Sequence, residues 1–95
     1  MITVTATEDE ISVTGHANTG PPGHDIVCAS VSTLIQTLVV SIEDLTEDKP
    51  DYIIGKGTFN LKTKNLSTES KLLVDSFFVG ICGVAGTDQT AVQII

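Results

Sequence analysis

Two histidines and a cysteine stand close together in the stretch GHANTGPPGHDIVCAS, Gly15 to Ser30. Cysteine attacks carbonyls as the thiolate, and an imidazole beside it can take the thiol proton and later hand it to a leaving amine. His16 stands directly behind Gly15, and eleven residues, many of them turn formers, separate it from Cys28. A histidine at the end of a strand, a returning loop and a cysteine at the start of a helix can meet in such a geometry. Asp25 has the right side chain for a helix N-cap, because its carboxylate can accept from the unpaired amides of the first turn. With Asp25 at the cap, Cys28 falls in that first turn. The free amides and the helix dipole there favour negative charge, and so the thiolate. The same amides are candidates for an oxyanion hole.

Other uses of these residues are less well supported by their spacing. A single cysteine in a helix is usually a small core side chain, and a single histidine is usually structural. Their joint placement around a glycine-rich loop is what points to a catalytic pair. His16, His24, Asp25 and Cys28 are all zinc-ligand types, but Asp25 is wanted at the cap and the adjacent His24 and Asp25 diverge. With no Cys-x-x-Cys pair to help, neither a metal nor another cofactor is expected. The loop through Gly20, Pro21, Pro22 and Gly23 lacks the spacing of a phosphate cradle, and its prolines remove two amide donors. A flexible flap over the site is expected instead. Cys82, beside Phe77, Phe78 and Ile81 with no acid or histidine near it in sequence, is expected to be buried and inert.

The elements that must position these groups are legible in the patterning. ITVTATE and EISVTG alternate apolar and polar residues with period two, which predicts an N-terminal β-hairpin turning at EDE and ending at Gly15-His16. The period then lengthens. Val27, Val31, Leu34, Leu38, Ile42 and Leu45 recur every three or four residues, with Ile35 and Val39 widening the stripe, as in an amphipathic helix of about five turns. Pro50 prevents its continuation. DYIIGKGTFNLKT predicts a second hairpin with its turn at Gly55-Lys56-Gly57. STESKLLVDSFFVGICGVAG predicts a second helix with Leu73, Phe77, Ile81 and Val84 on one face. Gly80, Gly83 and Gly86 should fray its last part or allow close packing there. AVQII closes as a strand. The expected fold is α+β, in the order β-β-α-β-β-α-β, with one sheet packed by two helices in a single domain over residues 1–95.

Composition narrows the function further. The 95 residues carry a formal charge of −7, with five cationic side chains, all of them lysine. That balance argues against binding the nucleic-acid phosphate backbone, which needs clustered cations. MITVTATEDE has neither the basic start nor the apolar core of a signal peptide, and no membrane association is expected. Cys28 and Cys82 are too few and too far apart for a disulfide framework, so the cytoplasm is the expected compartment. A chain this small gains stability by dimerising.

GHA, a glycine-containing loop and GHDIVCASVS together resemble the signature of the Prp family, the ribosomal-processing cysteine proteases. The resemblance is specific over Gly15 to Ser32 and extends over the chain in length and element order. It implies a small α+β domain, usually a homodimer, with Cys28 as nucleophile and His16 as catalytic histidine. Asp25 and Ser32 match polar positions beside the site. Ser32, one helical turn beyond Cys28, could bond near the thiol or back to the helix backbone. The implied substrate is a basic protein: family members remove a short N-terminal extension from large-subunit ribosomal protein number twenty-seven. Some homologues are phage-encoded or act on phage scaffold and capsid proteins. The alternative is a non-catalytic, ribosome-associated or structural module that retains the motif.

Overall fold

In the computed structural model, which describes residues 1–15 and 26–95, the expected order of elements is found. The strands are β1 (Ile2–Ala6), β2 (Glu10–Gly15), β3 (Asp51–Gly55), β4 (Thr58–Lys62) and β5 (Val92–Ile94). The helices are α1 (Ile26–Leu45) and α2 (Thr68–Thr87). The sheet runs β3-β4-β2-β1-β5, antiparallel throughout except for the parallel pairing of β1 with β5.

Period-two alternation gives the sheet its two faces. Ile2, Val4, Ile11, Val13, Phe59 and Leu61 point to one side and are buried beneath the helices. The register carries apolar side chains across the strands, pairing Val13 with both Val4 and Phe59, and Ile11 with Leu61. The other face is polar. There Asn60 Nδ2 donates to Ser12 Oγ and Glu10 Oε2, and Lys62 pairs with Glu10 at 2.7 Å. The Lys62 ammonium and the Asn60 amide hold the Glu10 carboxyl below its usual range.

The buried stripe of α1 is Val27, Val31, Ile35, Leu38, Val39 and Ile42. It is turned from the expected stripe: Leu34 is half-buried and Leu45 is 72 % exposed. Leu34 faces α2, touching Gly80, while Leu45 is the last residue of α1. In α2, Phe77 and Ile81 are buried, and the helix continues past all three glycines to Thr87. Each glycine costs about 1 kcal/mol in a helix, whereas burying a large apolar side chain gains about 1.5–3 kcal/mol. Gly80 is the close-packing one, since a Cβ there would stand 2.6 Å from Leu34 Cδ2. Gly83 and Gly86 face open space.

Both helices have 20 residues and are long and apolar enough to cross a membrane by length and composition alone, a test that the core helix of a soluble protein also passes. In this fold they form the layer over the sheet, and α1 supplies six of its buried side chains.

The start of α2 is fastened to the segment after α1. Ser67 caps the helix by accepting from the Ser70 amide. Asp48 accepts from the Ser67 amide at 2.8 Å, from the Ser67 hydroxyl at 2.7 Å and from the hydroxyl of fully buried Ser70. These donors, Ser70 foremost, hold the Asp48 carboxyl below its usual range.

At the far end of the sheet Gly15 has φ of +100°, and a Cβ on it would lie 2.2 Å from the Met1 carbonyl oxygen. Only glycine fits there. Its amide donates to the Gly57 carbonyl at 3.0 Å, tying the end of β2 to the β3–β4 turn. That turn is the two residues Lys56-Gly57, with Gly57 at φ 71°.

These contacts lead to three stability predictions. Ser67→Ala removes a cap and lowers stability by about 1 kcal/mol, a fall in Tm of roughly 4–8 °C by thermal melting. Asp48→Asn also lowers Tm at about pH 7. Because the native carboxyl is depressed from 3.8, its contribution is present above that value and is lost as pH falls through the native one. The gap to the parent therefore narrows as the melts are carried from neutral pH to below 3.8. Gly15→Ala forces a left-handed backbone and a clash with Met1, costing roughly 1–3 kcal/mol or more, read in the same melts.

Candidate active site

Three pieces of chain converge at the Gly15 end of the sheet: the end of β2, the β3–β4 turn and the first turns of α1. Between them lies a cleft of about 210 Å³. Cys28, Ser32 and Gln36 line it from α1, Gly15 and Val13 from β2, and Ile54, Gly55, Gly57, Thr58 and Phe59 from the second hairpin.

Helix phase explains why Cys28 faces this cleft. Successive residues of a helix are about 100° apart, so next to the buried Val27 the Cys28 side chain is turned to the flank of α1. It packs partly against the core and is half-buried. As the third residue of a helix that begins at Ile26, it lies in the turn whose amides have no carbonyl partners within the helix. Those N–H groups sit at the same end of the helix as the thiol. In the same turn the Ser30 hydroxyl bonds back to the Ile26 carbonyl at 2.7 Å. Ser32 is exposed at the cleft one turn beyond Cys28.

Of the residues singled out in the sequence, Cys28, Ser32 and Gly15 are therefore brought to one cleft. His16, Gly20, Pro21, Pro22, Gly23, His24 and Asp25 lie outside the described residues, and with them the expected N-cap, the flap and the Cys28–His16 contact. Among the described residues no group of three His, Cys, Asp or Glu side chains could hold a metal ion.

Cys82 departs from expectation, because it is exposed. It lies next to buried Ile81 on α2, and a step of about 100° carries it out of the core. Cys82 does not line the cleft that holds Cys28.

The second hairpin forms one wall of the cleft, a role that a hairpin pattern alone does not announce. Ile54 and Phe59 were assigned only to a hairpin, yet both form part of the cleft lining. A signal was present: Tyr52-Ile53-Ile54 breaks the alternation, which marks a strand with apolar groups on both faces.

Comparison with known proteins agrees with this architecture. The family model for cysteine protease Prp matches residues 1–93. The ribosomal processing cysteine protease Prp of Staphylococcus aureus is 37 % identical, with 85 % of each chain covered. The crystal structure of the S. aureus essential ribosomal processing protease Prp with a covalently linked product peptide superposes with a TM-score of 0.90 at 27 % identity. That match covers 99 % of this chain and 97 % of the other. SMU.848 from Streptococcus mutans matches with a TM-score of 0.78 at 27 % identity, covering 99 % and 91 %. A β-β-α-β-β-α-β chain matched by the family model over residues 1–93 thus belongs to the Prp family of ribosomal-processing cysteine proteases.

Proposed function

We propose that this chain is a cytoplasmic cysteine endopeptidase that removes a short N-terminal extension from a large-subunit ribosomal protein, with Cys28 as its nucleophile. The observation that carries this is the position of Cys28: third residue of α1, half-buried, opening on the cleft from the first turn of the helix. Cys28 Sγ attacks the scissile carbonyl and forms a thioester, while the amides at the start of α1 donate to the oxyanion. His16 takes the thiol proton and delivers it to the departing amine, then activates the water that frees the acid and restores the thiol. Gly15 supports this by its backbone, since the chain leaves β2 toward His16 through the one conformation the Met1 carbonyl permits. Asp25 caps α1 and helps orient His16, Ser32 contributes a hydroxyl at the cleft, and the Gly20-Pro21-Pro22-Gly23 loop covers the bound segment.

The S. aureus protease has been crystallised with a covalently linked product peptide, which supports a covalent mechanism on a protein substrate here. The net charge of −7 suits a basic ribosomal protein. A phage structural protein is the second substrate to assay. The working unit is a homodimer formed through the outer face of the helices. Residues 26–42 and 76–87 carry no charge, and Val40, Leu72 and Val79 are exposed at 50, 69 and 74 %.

Cleavage of the ribosomal protein precursor by purified variants tests the catalytic assignment. Cys28→Ala abolishes cleavage while keeping the parent's melting behaviour. His16→Ala lowers kcat by about 10²–10⁴-fold. Cys82→Ser cleaves like the parent, and loss of activity there as complete as in Cys28→Ala would remove Cys28 from its role. For the dimer, sedimentation of Val79→Asp should give a monomer where the parent sediments as a pair.

A further inference from the structure

The sheet has two edges of different character. β5 is only three residues long. β3 is five residues long, and all five are exposed. Between Tyr52 and Gly55 it carries no charge and no proline, the usual protections of an open edge. Tyr52, Ile53 and Ile54 are 39, 71 and 52 % exposed. A bare apolar edge of this kind invites another strand.

Its position gives the identity of that strand. Ile54 and Gly55 line the same cleft as Cys28, so the edge continues directly from the candidate active site. The ladder fixes which groups are available. Gly55 and Thr58 flank the two-residue turn and pair with each other. In an antiparallel ladder such a flanking pair exchanges both hydrogen bonds, and the next pair, Ile54 with Phe59, exchanges none. Ile54 and, two residues before it, Tyr52 therefore turn their backbone N–H and C=O away from β4, toward the open edge. Their side chains share the face of their partners Phe59 and Leu61, but α1 does not cover them. A trench is left between α1 and β3, floored by Phe59 and flanked by Ile35 and Ile54.

We propose that the substrate's segment next to the scissile bond binds as a sixth strand on the outer edge of β3, pairing with the backbone of Tyr52 and Ile54. Every second side chain of that segment enters the trench, where the lining selects apolar residues. Ile54 is then a specificity-determining residue. This rests on the proteolytic function proposed above and deepens it, because it assigns affinity to main-chain pairing and selectivity to one face of the substrate.

The test uses a synthetic peptide spanning the N-terminal extension and cleavage site of large-subunit ribosomal protein number twenty-seven. Single N-methyl groups are placed at successive amides away from the scissile bond. Pairing with β3 predicts a period of two: kcat/KM falls about five- to tenfold at alternate positions and little between them. With the unmodified peptide, Ile54→Thr lowers kcat/KM about tenfold, whereas Ile53→Thr, altered on the opposite face, changes it by less than about twofold. In the Cys28→Ala chain, saturating peptide slows hydrogen exchange at the Tyr52 and Ile54 amides. Efficient cleavage with a flat N-methyl profile and unchanged exchange overturns the edge pairing and leaves the protease function standing. No cleavage of the unmodified peptide overturns both. Protection of the same amides without peptide, rising with protein concentration, assigns the edge to a second copy and also overturns the proposal.

Discussion

Everything at the candidate site depends on how α1 is seated on the sheet. Six apolar side chains, from Val27 to Ile42, fix both the axial position and the rotation of the helix. Each is worth about 1.5–3 kcal/mol when buried, so no single surface contact competes with them in setting the phase. Val27 is locked into the core, and Cys28 must then face the flank. A rotation of one residue would bury the thiol among the strands. The position of the thiol is thus set by the apolar packing around it.

The second constraint acts on the opposite wall. Gly15, Gly57 and the two-residue turn are linked by one backbone hydrogen bond, and both glycines occupy left-handed conformations. Met1 crowds Gly15 so closely that no side chain is tolerated. The cleft therefore has two stiff rims, a helix start and a strand end, while its third side is an edge strand that neither α1 nor α2 covers. Two rigid sides and one open side suit a protease that must hold a thiol steady and still admit an extended chain.

Much of this was written plainly in the sequence. Period-two alternation around Ile2, Val4, Ile11 and Val13 gave the first hairpin, and Asp25 followed by an apolar three-to-four spacing put Cys28 in a first helical turn. Where local pattern and structure differ, tertiary neighbours decide the outcome. Leu34 and Leu45 keep the helical period, yet one meets α2 and the other lies at the end of the helix, a difference no single-helix pattern encodes. Cys82 sits among Phe77, Phe78 and Ile81 in sequence, but adjacent residues of a helix point in different directions. The role of Ile54 depended on which strand α1 leaves uncovered, and strand order is set by the whole sheet rather than by any segment of it.

The parallel pairing of β1 with β5 bears on how the molecule is assembled. Ile2 bonds to Ala91 and Ile95 to Val4, so the ladder of the second strand in from one side of the sheet is completed only by residues far along the chain from it. The two hairpins can form locally, whereas Ala91 and Val92, both buried, must be brought to the core from far along the sequence. Contacts so distant in sequence are slow to close. Completion of the core is therefore the molecule's most sequence-distant step, governed by the pairing of residues 2–4 with residues 92–94.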